Sequence, residues 1–187
     1  MNKEMSKWAQ MYKSRVGESY PDYVQKQYQS FIGEICGVIE HDSKVLEAGC
    51  GIATISKVVG RQFKDVSINA IDIDIDQVSL ATQNVLNHHN ILVNSGSILD
   101  PCIYEGQSII HSHGVLEHFE DSDIAKILGY QKEVTKVGNV IHYVPLEGWV
   151  TGSYGDERLL SLDYWMDTFK PIKAITFTGG KDAVLVW

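Results

Sequence analysis

The stretch Lys44 to Thr54, KVLEAGCGIAT, carries the residue types best suited to hold a ligand. A short apolar run closes on Gly49-Cys50-Gly51, and a helix is predicted to begin at Thr54. Glycines let the backbone turn sharply and come close to a bound molecule, and free amides at the next helix start favour a negative group. Asp72 closes the following apolar run, 21 residues beyond Gly51. A carboxylate at the tip of a neighbouring strand can accept hydrogen bonds from both hydroxyls of a ribose. The chemistry indicated is nucleoside binding; the competing reading is a tight strand-to-helix turn with no ligand. A dinucleotide fingerprint asks for glycine at the third position of GxGxxG, where this chain has Thr54, so a pyrophosphate loop is disfavoured.

Other residue groups carry weaker chemistry. Of seven histidines, His111 and His113 would share one face of a strand, but no cysteine or carboxylate pair stands at metal-ligand spacing, and no metal site is expected. His88-His89 reads as a structural helix end. There is no GxSxG nucleophile elbow. Asp72, Asp74 and Asp76 mimic part of a calcium loop without its glycine or later glutamate.

The elements that must position these residues follow from periodicity. Helical spacing covers 23–40, with Tyr28, Phe31, Ile32, Ile35, Val38 and Ile39 on the buried face. Strands are predicted at 44–49, 67–74, 91–98, 108–112 and 139–145, with helices at 54–61, 76–88, 121–136 and 159–169 between or after them. Asp76 is the expected N-cap of the second of these, and Asp121 or Ser122 of the third. Beta-rich runs at 172–178 and 183–187 flank Gly179-Gly180-Lys181-Asp182, which is hairpin chemistry. Strands separated by helices pair in parallel, and a hairpin adds an antiparallel strand. The expected architecture is an α/β, doubly wound, mostly parallel sheet with an antiparallel strand from the C-terminal hairpin and helices on both faces.

Composition sets limits on partners. At 187 residues, 44% hydrophobic and 21% charged, the chain reads as one folded domain. A net charge of -8 disfavours an electrostatic grip on nucleic acid. No run approaches the ~20 apolar residues of a membrane span. Residues 1–10 lack an apolar signal core, and three cysteines without CxxC spacing read as reduced thiols, so a cytoplasmic protein is expected.

VLEAGCGIATIS, AIDIDIDQVSLA and HSHGVLEHFED, in that order, resemble the motifs of class I S-adenosylmethionine-dependent methyltransferases of the small-molecule type. The likeness covers roughly 44–187, with 1–43 left as an N-terminal helical cover of the same single domain. It implies a Rossmann-like seven-stranded sheet and S-adenosylmethionine as cofactor. By position, Glu47 then lies near the methionyl amino group, Gly49 and Gly51 against the amino-acid part and ribose, and Asp72 at the ribose, with Asp74 as its rival. Ile73, Ser97 and Ile98 fall beside adenine, although the family often has aspartate at Ser97. His113 and Gly114 meet the methionyl part. Ala53 stands where the family often has glycine, and its methyl group need not block the site if φ there is negative. Tyr12 and Tyr20 are the lid candidates of the cover; Trp8 and Tyr28 serve either as lid or as packing. The segment 147–158 is expected to border the acceptor. The resemblance implies methyl transfer to a small-molecule acceptor by in-line displacement. His118 is the first candidate for a general base, His113 the second and His142 the third. The alternatives are a non-catalytic nucleoside-binding module of the same fold, or an RNA or protein methyltransferase.

Overall fold

Val45 and Leu46 are adjacent in sequence and both fully buried, yet they join different cores. That is the mark of a strand covered on both faces, since successive side chains point to opposite sides. The computed structural model describes residues 5–149 and 156–187. Its strands are β1 (Lys44–Ala48), β2 (Ser67–Asp72), β3 (Ile91–Ser95), β4 (Ile109–His113), β5 (Val140–Pro145), β6 (Lys173–Phe177) and β7 (Asp182–Val186). Its α-helices are α1 (Lys7–Tyr12), α2 (Ser19–Gln27), α3 (Gln29–Gly37), α4 (Thr54–Gln62), α5 (Ile75–Asn84), α6 (Asp121–Val134) and α7 (Leu162–Phe169).

The strands form one seven-stranded sheet in the order β3-β2-β1-β4-β5-β7-β6. All pairings are parallel except those of β7, which runs antiparallel to β5 and β6. On one face, Leu46, Ile110, Val140 and Leu185 pack against Ile124, Ile127 and Trp165 from α6 and α7. On the other, Val45, Ile109, Ile141 and Val184 pack against Phe31, Ile35, Val58 and Val59 from α3 and α4. Winding reverses between β1 and β4, so a crevice opens beyond the C-terminal ends of these two strands.

Several expected boundaries move, each for a local reason. The single helix read over 23–40 is two, α2 and α3, because Tyr28 leaves helical geometry at φ -111° and ψ 32°. Asp76 is not the N-cap of α5: Asp74 is, its carboxylate accepting the Asp76 amide at 2.9 Å. That helix stops at Asn84, so His88 and His89 lie in the turn beyond it. β3 ends at Ser95, leaving Ser97 and Ile98 in the following loop. Glu120 precedes α6 without a side-chain cap, and Ser161 caps α7 by accepting the Tyr164 amide at 3.1 Å. Among the described residues, no helix is long and apolar enough to cross a membrane.

Candidate functional site

The crevice holds a hollow of about 720 Å³. Its floor is the β1 turn. Gly49 sits at φ 72° and Gly51 at φ 53°, in the left-handed region that glycine tolerates. A Cβ built on Gly49 would lie 2.6 Å from Val115 Cγ2, so only a glycine fits under the loop after β4. Cys50 N–H donates to Ile71 O at 2.7 Å, and Ala53 N–H to Cys50 O at 2.7 Å, which closes the turn into α4. Ala53 has φ 55° and ψ 39°. The negative φ that would have let the methyl group clear the site does not occur: an alanine occupies a left-handed position in this turn, and its side chain is buried.

Asp72 ends β2 and faces the hollow. Its carboxylate accepts Gly51 N–H at 2.8 Å and Asp74 N–H at 2.9 Å. Each oxygen keeps a further lone pair, so the turn orients the acid without exhausting it. Burial raises its pKa, opposed by these amides. Asp74 also borders the hollow, but it caps α5 and accepts from Ser6 Oγ. Of the two rivals, only Asp72 is bonded to the glycine turn.

Glu47 is 2% exposed. One oxygen accepts Ser56 N–H at 2.9 Å and Ser56 Oγ, and burial pushes the carboxyl up to about 7. Ile73, three-quarters exposed, lines the hollow with Ser97, Ile98, His113 and Gly114. Ser97 Oγ accepts Leu99 N–H at 3.3 Å, and Ile98 is mostly core. Gly114 has φ 67°, with its N–H on Tyr143 O at 3.1 Å.

The His113 ring stacks on Tyr143 at 4.3 Å and meets Tyr28 edge-on at 4.2 Å. Burial lowers its pKa to about 4, and its buried Nε2 has no hydrogen-bond partner. His118 stands at the mouth, edge-on to Trp8 at 5.9 Å and 3.5 Å from Asp156. The third histidine is elsewhere. His142 is fully buried, with Nδ1 2.6 Å from Ser112 Oγ and Nε2 2.8 Å from Gln131 Oε1, outside the hollow.

The opposite wall comes from the N-terminal segment: Trp8, Tyr12, Arg15, Tyr20, Tyr23 and Tyr28. Burial raises the Tyr12 pKa. Trp149 donates to Asp182 at 2.8 Å at the edge of the 147–158 segment, half of which (150–155) lies outside the described residues. Sequence reading missed several contributors. Val115 roofs Gly49, and Gln77 Oε1 and Thr54 Oγ1 are buried at the glycine turn without partners. Ser56 anchors Glu47, and Arg15 lines the cover. None has a spacing that announces it; the polar neighbourhood of Tyr12 was the only signal near Arg15.

No protein-family profile matches this chain, and no curated protein does. Solved structures do match. A putative O-methyltransferase from Nostoc punctiforme aligns at TM-score 0.73 and 13% identity, over 96% of this chain and 60% of that one. An O-methyltransferase of neocarzinostatin biosynthesis, in complex with S-adenosylmethionine and 2-hydroxy-5-methyl naphthoic acid, aligns at 0.69 and 17%, over 88% and 54%. A geranyl diphosphate methyltransferase, in complex with its diphosphate and sinefungin, aligns at 0.67 and 10%, over 91% and 84%. The chain spans roughly half to two thirds of the length of the structures it matches first. The chain has the fold of class I S-adenosylmethionine-dependent methyltransferases.

Proposed function

We propose that this chain transfers a methyl group from S-adenosylmethionine to a small-molecule acceptor, acting in the cytoplasm as one domain whose residues 1–43 cover the cofactor. One observation carries the reading: an open hollow at the sheet's switch point, floored by Gly49, which admits no side chain, and by Gly51, and edged by Asp72. The residues present fit a nucleoside bearing an amino-acid tail. Gly49 and Gly51 leave backbone bare where a ligand would lie, and Asp72 is poised for two hydroxyls. Glu47 offers a carboxyl to an ammonium group, while Gln77 Oε1 and Thr54 Oγ1 await partners. Ile73, Ser97 and Ile98 form the slot for a flat base, and His113, Gly114 and Tyr12 border the tail.

When bound, the cofactor supplies a methyl group on a sulfonium that already leaves readily. The chain's own task is to align the acceptor and exclude water. The aromatic cover excludes water and favours a cationic sulfur. His113 stays neutral at pH 7, and its bare Nε2 can take a proton or a hydrogen bond. His118, at the mouth beside Asp156, is the preferred base for an acceptor that loses a proton.

Calorimetry with S-adenosylmethionine, S-adenosylhomocysteine and NAD tests the cofactor. Tight binding of the sulfur nucleosides alone is expected, and binding of neither would end the proposal. Consumption of the methyl donor with a panel of small phenols, amines and carboxylic acids separates an enzyme from a binding module. Full activity in His118→Ala would remove that histidine as base.

A further inference from the structure

The charges lining the hollow are of one sign, with one exception. Glu47, Asp72, Asp74 and Asp156 border it, and Arg15 is the only lysine or arginine among the described residues that does. Arg15 is half-buried. Its guanidinium lies 4.8 Å from the Tyr12 ring centroid and 5.4 Å from that of Tyr20, with one N–H on Tyr20 OH at 3.3 Å. These contacts hold the fork in place but do not neutralise it. The chain's other two arginines are each claimed by acids: Arg61 by Glu18 and Asp22, Arg158 by Asp121 and Glu120. Among the described residues, no carboxylate stands at ion-pair distance from Arg15.

The segment that carries Arg15 is tied at both ends. Before it, Ser6 N–H donates to Asp76 at 2.8 Å and Ser6 Oγ to Asp74. After it, Gly17 N–H donates to Asn84 Oδ1 at 3.2 Å, and Gly17 O accepts from Lys57 Nζ at 3.1 Å. A planar five-donor cation, fixed by rings and facing a cavity, matches a planar anion through two parallel hydrogen bonds. The acids nearby weigh against a multiply charged phosphate and leave a carboxylate as the fitting group.

We propose that Arg15 is a carboxylate receptor in the hollow, gripping the carboxylate of a molecule bound beside the glycine turn. The inference rests on the nucleoside reading above. The carboxylate has two sources, the amino-acid tail of the sulfur nucleoside or an acidic acceptor, and the experiment separates them.

Calorimetry compares wild type with Arg15→Met and Arg15→Lys, all checked for an unchanged melting transition. The probes are S-adenosylhomocysteine and 5′-methylthioadenosine, the same nucleoside without the amino-acid tail. To protein saturated with S-adenosylhomocysteine, 1-naphthoate and 1-naphthol are then added. A loss of about tenfold or more for S-adenosylhomocysteine in Arg15→Met, with 5′-methylthioadenosine unchanged and Arg15→Lys between, supports the proposal and assigns the tail. A like loss confined to 1-naphthoate supports it and assigns the acceptor. Equal losses for the carboxylate and carboxylate-free probes would show that Arg15 merely stiffens the cover, and overturn the proposal. No loss for any probe overturns it too. Wild type that binds neither nucleoside defeats the methyltransferase reading itself, and this inference with it.

Discussion

Gly49 and Ala53 occupy the same left-handed region within five residues of one another, and opposite substitutions there have opposite signs. At Gly49 a methyl group would meet Val115 at 2.6 Å, in a conformation at φ 72° that L-residues avoid. Gly49→Ala should destabilise the fold by on the order of 2 kcal/mol or more. It should also abolish nucleoside binding, read by urea unfolding and calorimetry on the same sample. Ala53 already holds φ 55° as an alanine. Ala53→Gly relieves backbone strain of about 1–2 kcal/mol, less the entropy that glycine loses on folding. A gain of up to about 1 kcal/mol in urea is expected, and a loss would mean that the buried Ala53 methyl group matters more than its backbone. The glycine turn and Asp72 were legible because both depend on a short span of sequence: a strand, two glycines, and an acid at the next strand tip. Arg15, Val115 and Ser56 were not, because each meets the site through tertiary packing that no local spacing encodes.

Asn84, the last residue of α5, joins two elements that both border the hollow. Its amide donates to Ile52 O in the glycine turn at 2.8 Å, while its carbonyl oxygen accepts from Gly17 N–H and from Lys57 Nζ. Lys57 is buried along its side chain and also pairs with Glu18. Asn84→Ala strips a partner from three groups at once and leaves the Lys57 ammonium less satisfied. A loss of about 1–3 kcal/mol is expected, with faster hydrogen exchange at the Gly17 amide and weaker nucleoside binding. Unchanged exchange at Gly17 would show that the cover is held elsewhere, through Ser6 and Glu18. At this scale the sheet was legible and the cover was not. Every predicted strand exists: two-sided burial writes adjacent apolar pairs into β1, β4 and β5 and an apolar run into β7, although Glu47, His111, Ser112 and His142 interrupt the first three. The break between α2 and α3 went unseen because Tyr28 carries no breaker residue; its backbone is bent while its ring is docked against His113 and Tyr143. The N-cap of α5 was placed two residues late because Asp74 and Asp76 are equally good caps by sequence, and the earlier one wins by closing the turn that Asp72 begins.

Buried titratable groups set the pH dependence of the whole molecule, and they act in opposite directions. Burial lowers His111 and His142 to about 3 and His113 to about 4, from an ordinary value near 6.5. The unfolded chain therefore binds more protons than the folded one between about 4 and 6.5, so stability falls as pH drops below 6.5. Burial raises Glu47 to about 7 and Glu117 to about 8, from 4.5. Their contribution is complete below 4.5 and is lost as pH rises through about 7 and 8. Asp72, also raised, acts in the same sense as the glutamates just above its ordinary range. Between 4.5 and 6.5 three histidines outweigh two glutamates, a net slope of about 1.4 kcal/mol per pH unit favouring higher pH. Below 4.5 the glutamates no longer compensate, and the slope steepens, opposed in part by Asp72, until the folded histidines themselves protonate. Above 6.5 only the glutamates titrate, and stability declines. Urea midpoints measured from pH 4 to 9 should therefore peak near 6.5, with a further steepening of the acid limb below pH 4.5. Glu117→Gln, which keeps the shape of a neutral glutamic acid, should flatten the decline between pH 7 and 8 and steepen the limb between 4.5 and 6.5, where one carboxyl fewer offsets the three histidines. A peak above pH 8, or an alkaline limb unaltered by that substitution, would mean that these carboxyls ionise freely despite their burial.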